Sequence, residues 1–180
     1  MKKLLSVLLL LSFEASAQNQ NQQSTPEEKI SLRHIEGFRG FDITTGVNQY
    51  GKQFSLGYSQ FESEKFIARI VLNYEYGKIN LTSYNTNYIF IELNHTVFKI
   101  KDRVFLNLGY GALAGEENSS NEVLNNKTDN FSYGLLLDAN SEIYVLNKLA
   151  LLIEFKEIWD NGSSFGPFRY YANAGFRFYL

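Results

Sequence analysis

The stretch that decides the fold is Arg169-Tyr-Tyr-Ala-Asn-Ala-Gly-Phe-Arg-Phe-Tyr-Leu180. Its apolar members Tyr170, Ala172, Ala174, Phe176, Phe178 and Leu180 fall on every second position. Arg169, Tyr171, Asn173, Gly175, Arg177 and Tyr179 lie between them. A period of two places each set on one face of a strand. One face is apolar to its end, and the other carries two arginines.

Taken alone, this strand fits the edge of a soluble sandwich as well as the wall of a membrane barrel. Its end adds a second signal. Asn173-x-Gly175-x-x-Phe178-x-Leu180 resembles the C-terminal signature of outer-membrane β-barrels. That resemblance implies an insertion signal made of Asn173, Gly175, Phe178 and Leu180, read by the barrel-assembly machinery through the last strand. The usual last residue is aromatic, and Leu180 departs from it.

The opposite end of the chain favours the membrane. Lys2 and Lys3 precede the apolar run Leu4 to Leu11, and Ala15-Ser16-Ala17 forms a small-x-small cleavage site. Such a segment is an export signal. The run is shorter than the roughly 20 apolar residues of a spanning helix. Cleavage between Ala17 and Gln18 defines residues 1-17 as signal peptide. Removing Lys2, Lys3 and Glu14 takes the formal charge from -2 to -3. This charge is no nucleic-acid footprint, and no direct nucleic-acid binding is expected. There is no cysteine, so neither disulfides nor thiolate metal sites stabilise the exported chain. Tyr and Phe number 12 and 15 against 2 Pro, a composition that suits strands with aromatic girdles.

Residues 18-36 open with QNQNQQSTPEEK, too polar to bury a core. They read as a polar tether, with Ile30 to Glu36 either a short plug or a lead-in. Residues 37-180 then show eight alternating segments, at about 38-48, 53-61, 66-77, 85-98, 104-115, 130-144, 149-159 and 169-180. Connections after the second, fourth and sixth segments are short and contain Lys. Those after the third, fifth and seventh read as longer and polar, with Glu116 to Asp129 the longest. The segments approach the 9 to 11 residues of a tilted membrane strand. The expected fold is all-β: an eight-stranded antiparallel transmembrane outer-membrane β-barrel, both termini periplasmic, in a Gram-negative envelope. Alternation does not say which face is wet, and a lipocalin-like soluble barrel would turn the same apolar residues inward. Export signal, terminal signature, strand length and loop asymmetry together favour the bilayer as partner.

Eight strands leave an interior just wide enough for side chains. The expected lumen network is Arg69, Glu75, Glu92, Asp138, Glu142, Glu154, Lys156, Arg169 and Arg177. Both signs occur, and a single buried charge is costly, so these groups should pair. They read as structural partners rather than a catalytic centre or an ion path. His34 precedes the first strand, and His95 lies on the lipid side of the fourth. No His-x-Ser arrangement, phosphate-binding glycine loop or metal-ligand spacing occurs. No enzyme activity and no cofactor are expected.

The C-terminal half carries a family resemblance. Gly109-Tyr-Gly-Ala-Leu-Ala-Gly115-Glu-Glu, Phe131-Ser-Tyr-Gly134, Glu142-Ile-Tyr-Val-Leu-Asn-Lys-Leu-Ala-Leu-Leu152, Glu157-Ile-Trp159 and Gly175-Phe-Arg-Phe178 follow in that order. Together they resemble the TraO proteins of conjugative transposons over residues 104-180. The chain departs from them in lacking a Cys near the mature N-terminus and in its Asn-rich segment after Gly115. The resemblance implies an outer-membrane component of a conjugative DNA-transfer apparatus, acting through other conjugal transfer proteins. Two other functions compete: a surface barrel that binds an extracellular partner through Glu116 to Asp129, and a lipid-modifying barrel enzyme.

Overall fold

The computed structural model describes residues 34-121 and 126-180. The expected signal segment, with Ala15, Ala17 and Gln18, and most of the expected tether lie outside the described residues. Eight strands run in chain order: β1 (Arg39–Asn48), β2 (Gly51–Phe61), β3 (Phe66–Ile79), β4 (Thr82–Ile100), β5 (Val104–Asn121), β6 (Asn126–Leu146), β7 (Leu149–Asn161) and β8 (Phe168–Tyr179). Each pairs antiparallel with its sequence neighbour, and β1 closes on β8 from Gly40↔Tyr179 to Asn48↔Tyr171. Closure leaves no lateral edge along the wall, which is what a spanning sheet requires.

The alternation read in the sequence maps onto inside and outside. Phe41, Leu56, Leu72, Ile91, Leu137, Ile153 and Phe176 point outward and are exposed. A soluble barrel would bury these residues, whereas here the charged set is inside. The arrangement is the inverse of a lipocalin.

We call the end that carries His34 and Leu180 the near end, and the opposite end the far end. The connections follow the length pattern that the sequence suggested only in part: β7–β8 spans six residues, longer than any near-end turn. At the far end, β1–β2 and β3–β4 are joined by only two residues each, and Asn80 takes a left-handed conformation (φ 55°). Asn tolerates that region better than most residues. At the near end, Lys101 and Asp102 are both left-handed, as a primed hairpin turn requires, and the Arg103 amide donates to the Ile100 carbonyl at 3.0 Å.

A further asymmetry lies in strand length. β4, β5 and β6 contain 19, 18 and 21 residues, against 10 and 11 in β1 and β2. The segment read as a loop, Glu116 to Asp129, is largely sheet: β5 and β6 stay paired from Glu116↔Phe131 to Asn121↔Asn126. β7 leaves β6 at Tyr133↔Asn161, so the tip of β6 rises beyond its neighbour. Polar residues can continue the ladder in water, because pairing satisfies the backbone without an apolar face.

Small residues on the inner face of β5 make room for large side chains on β4. A Cβ on Gly109 would lie 2.1 Å from the Asn94 amide oxygen, and one on Gly115 would lie 2.7 Å from the Tyr88 ring. The lumen is thus filled in layers. A near aromatic layer holds Phe61, Ile67, Phe105, Tyr144, Ala150 and Tyr179. A second apolar layer holds Val71, Tyr88, Phe90, Leu113, Leu136, Ile158 and Tyr171.

Candidate functional site: the ionic lumen

All nine charged residues expected inside are buried in the lumen. The strand register divides them into two clusters. The cluster nearer His34 is organised by two guanidinium groups. Arg69 donates from Nε to Asp42 at 3.0 Å, from Nη1 to Glu92 at 3.0 Å and from Nη2 to Glu154 at 2.7 Å. Arg177 grips Asp42 with Nε and Nη2, at 2.6 and 2.9 Å, and reaches Glu142 with Nη1 at 2.7 Å. Lys156 donates to the second oxygen of Glu92 at 2.5 Å. Forked contacts of this kind use the planar geometry of arginine, and they are among the strong hydrogen bonds of proteins.

Asp138 stands apart in this cluster. It accepts from the Asn140 amide at 2.6 Å, its nearest guanidinium nitrogen on Arg69 is 3.7 Å away, and Oδ1 has no partner. Asn140 accepts from Asn107 at 2.8 Å, and Asn107 accepts from the Thr96 hydroxyl at 2.7 Å. This polar chain leads to His34.

His34 closes the near end. Its ring stacks on Phe105 at 3.7 Å between centroids and meets Phe61 edge-on at 4.8 Å. Nε2 lies 3.0 Å from Glu142, and Nδ1 lies 3.3 Å from Thr96. The tip of the lead-in at His34 therefore fills the near end of the lumen. His95 points outward and packs against Phe66 at 4.8 Å.

The far cluster is built on Arg169. Its guanidinium reaches Glu75 at 3.2 Å, Glu117 at 2.6 Å, Asp160 at 2.9 Å and the Tyr88 hydroxyl at 2.9 Å. Tyr84 and Tyr171 donate to the two oxygens of Glu75, each at 2.7 Å, and Asn48 donates to it as well. The β7–β8 connection folds over this group. Ser163 donates its hydroxyl and Ser164 its amide to Glu117, at 2.9 and 2.8 Å. These serines help seal the far end.

Three carboxylates of these clusters were not in the expected network: Asp42, Glu117 and Asp160. Asp42 alternates between Phe41 and Ile43 and was legible from that. Glu117 and Asp160 were read as loop residues, yet they continue the inward rows Leu113, Gly115, Glu117 and Lys156, Ile158, Asp160. With them, eight buried carboxylates face four buried Lys and Arg side chains among the described residues. Hydroxyls and amides of Ser59, Tyr84, Tyr88, Tyr171, Tyr179, Asn48 and Asn140 serve the surplus.

The arrangement is chemically committed to itself. The guanidinium groups contact several carboxylates each, and the second apolar layer lies between the two clusters. Among the described residues, no group of three or more His, Cys, Asp or Glu is placed to hold a metal ion. Of the terminal-strand residues, Phe178 and Leu180 point outward, and Asn173 points inward. Gly175 lies opposite Thr44 and Leu152.

A closed eight-stranded antiparallel wall, apolar outside and ionic inside, defines the class of small outer-membrane β-barrels. Solved structures with this fold agree. Neisserial surface protein A (NspA) is 12% identical, covers 79% of this chain and 97% of its own, and has a TM-score of 0.66. The N-terminal β-barrel domain of Pseudomonas aeruginosa OprF is 9% identical over 81% of this chain and 98% of its own, with a TM-score of 0.61. Ail, the attachment invasion locus protein of Yersinia pestis, is 14% identical over 80% of this chain and 100% of its own, with a TM-score of 0.52. No curated protein sequence matches the chain.

The family is defined by sequence rather than by these distant structures. Residues 29–180, which include the whole barrel, match the model for the conjugative transposon protein TraO, and the chain belongs to that family.

Proposed function

We propose that this barrel is a structural component of a conjugative DNA-transfer apparatus in the outer membrane of a Gram-negative bacterium, acting through contacts with other transfer proteins. Family membership supports the process. The observation that supports the structural role is that each buried Lys and Arg of the lumen pairs with lumen carboxylates, the surplus carboxylates accepting from hydroxyls and amides. An interior spent on internal pairing leaves the ends and the outer wall to do the work. It supports a role without catalysis and without conduction.

In this reading the export signal ends at Ala17, and Gln18 begins the mature chain. The near end faces the periplasm, where residues 18 onward meet partners. Asn173, Gly175, Phe178 and Leu180 serve the barrel-assembly machinery, with Phe178 and Leu180 offering outward apolar side chains. Affinity capture of the tagged protein from crosslinked donor cells tests the partner reading. Recovery of other transfer proteins is expected. Recovery of the barrel with none of them would overturn it.

A second reading has its own support: the β4–β6 extension is a polar platform suited to an extracellular partner. Shortening the β5–β6 hairpin by removing residues 118–129 separates the two. If transfer survives the shortened hairpin while surface binding is lost, the platform reading prevails.

A further inference from the structure

Glu157 lies on the outer wall. It alternates with the buried Lys156 and Ile158 on β7, which turns its side chain outward, and it is partly exposed. Its row neighbours are Leu137 and Tyr170. The next row toward the far end is Leu135, Trp159 and Phe168, and the next row toward the middle of the wall is Ala139, Phe155 and Ala172. Strand rise and tilt put Glu157 about 5 Å on the bilayer side of Trp159. Tyr76, Tyr133, Trp159 and Phe168 belong to the far aromatic belt, and Phe66 and Phe178 to the near one. Among the described residues, Glu157 is the one charged side chain on the outer face between these belts.

A carboxylate at this depth costs free energy unless it reaches water or meets a partner. Leu135, Trp159 and Phe168 stand between it and the far end, whereas the small Ala139 and Ala172 leave its other side open to the bilayer. Among the described residues its side chain has no hydrogen bond and no ion pair. Lys52 is its complement. It is exposed on the outer face of β2 beside Val47 and Tyr76, and its ammonium group likewise has no partner among the described residues. The pairing rows climb around the tilted barrel, which brings Lys52 to within about 4 Å of the height of Glu157. The lysine stem spans that difference.

We propose that copies of this chain join side by side in the membrane, with Glu157 of one copy against Lys52 of the next. Insertion in the same direction brings the two charges to matching height, and Ala139 and Ala172 let the neighbouring wall approach closely. β7 and β2 are separated by β8 and β1, so one contact leaves the other face of each copy free, and association runs head to tail. A two-fold dimer about either face would instead set like charges together. The inference rests on the outer face meeting lipid and is independent of a role in transfer.

The test is resonance energy transfer between donor- and acceptor-labelled copies of the full mature protein, diluted in phosphatidylcholine vesicles. The chain has no cysteine, so Glu64→Cys in the exposed β2–β3 turn takes the dye. This labelled parent should give a signal above that of random proximity. Glu157→Lys and Lys52→Glu should each weaken association roughly tenfold, and the two changes in one chain should restore it. The heat-dependent gel shift of a folded barrel verifies each variant. Where a reversal fails it, Glu157→Gln and Lys52→Gln take its place. Each alone should lose the signal, and a mixture of the two should regain it, because one intact pair remains between them. A parent signal at the level of random proximity would overturn the proposal. So would reversals without effect, or a double reversal as weak as the single ones, which would mean that the two charges do not meet.

Discussion

Replacing Arg177 by methionine removes the cation that holds Asp42 and Glu142 together. Methionine keeps much of the side-chain volume, so the perturbation is electrostatic rather than a cavity. Three charge-assisted contacts go, at 2.6 and 2.9 Å to Asp42 and 2.7 Å to Glu142. Asp42 keeps Arg69 and Ser59, while Glu142 keeps His34 and Tyr179. Removing one partner of a buried ion pair costs about 3 to 5 kcal/mol, because the other charge stays buried. The remaining donors place the expected loss toward the lower figure. Changing Asp42 to Asn in the same chain should recover at least about 0.5 kcal/mol relative to additivity, since the sites are in contact. Urea unfolding in lipid vesicles, followed by the fluorescence of the single tryptophan, Trp159, measures both. A loss below about 1 kcal/mol for Arg177→Met would refute the claim that lumen pairing stabilises the barrel.

Two further variants probe the wall. Leu137 is exposed to the bilayer, and Leu137→Arg should cost about 2 to 4 kcal/mol near the midplane. Asp138→Asn should cost less in the same unfolding assay, because its Oδ1 has no partner to lose; the opposite order would exchange the inner and outer faces. Glu117→Gln should destabilise by about 1.5 to 3 kcal/mol through its contact with Arg169, and Glu116→Gln should stay within about 0.5 kcal/mol. Equal effects at the two positions would mean that this segment is a loop and not a strand.

The architecture was legible wherever strands cross an apolar surface. Arg169 to Leu180 alternates because lipid contacts one face and the packed lumen the other, and the same rule located all eight strands. It failed at Glu116 to Asp129 and at residues 82-84, where both faces are polar and pairing alone maintains the strand. Asn, Ser and Glu then look like loop residues although the ladder continues. The lumen charges were legible as a set but not as partners. Arg169 meets Glu75 and Glu117 across the lumen, and those strand positions are set by the stagger of the whole barrel. His34 carried no local signal, because an isolated histidine in a polar lead-in fills the lumen end only once Phe61, Phe105 and Glu142 surround it.

The central claim is a role in conjugal transfer exercised from the outer membrane. Mating frequency in a strain lacking this gene, complemented with a tagged copy whose membrane fraction is followed, tests it most directly. The account predicts that transfer collapses on deletion and returns when the protein reaches the outer membrane. Transfer at the parental frequency from the deleted strain would contradict it.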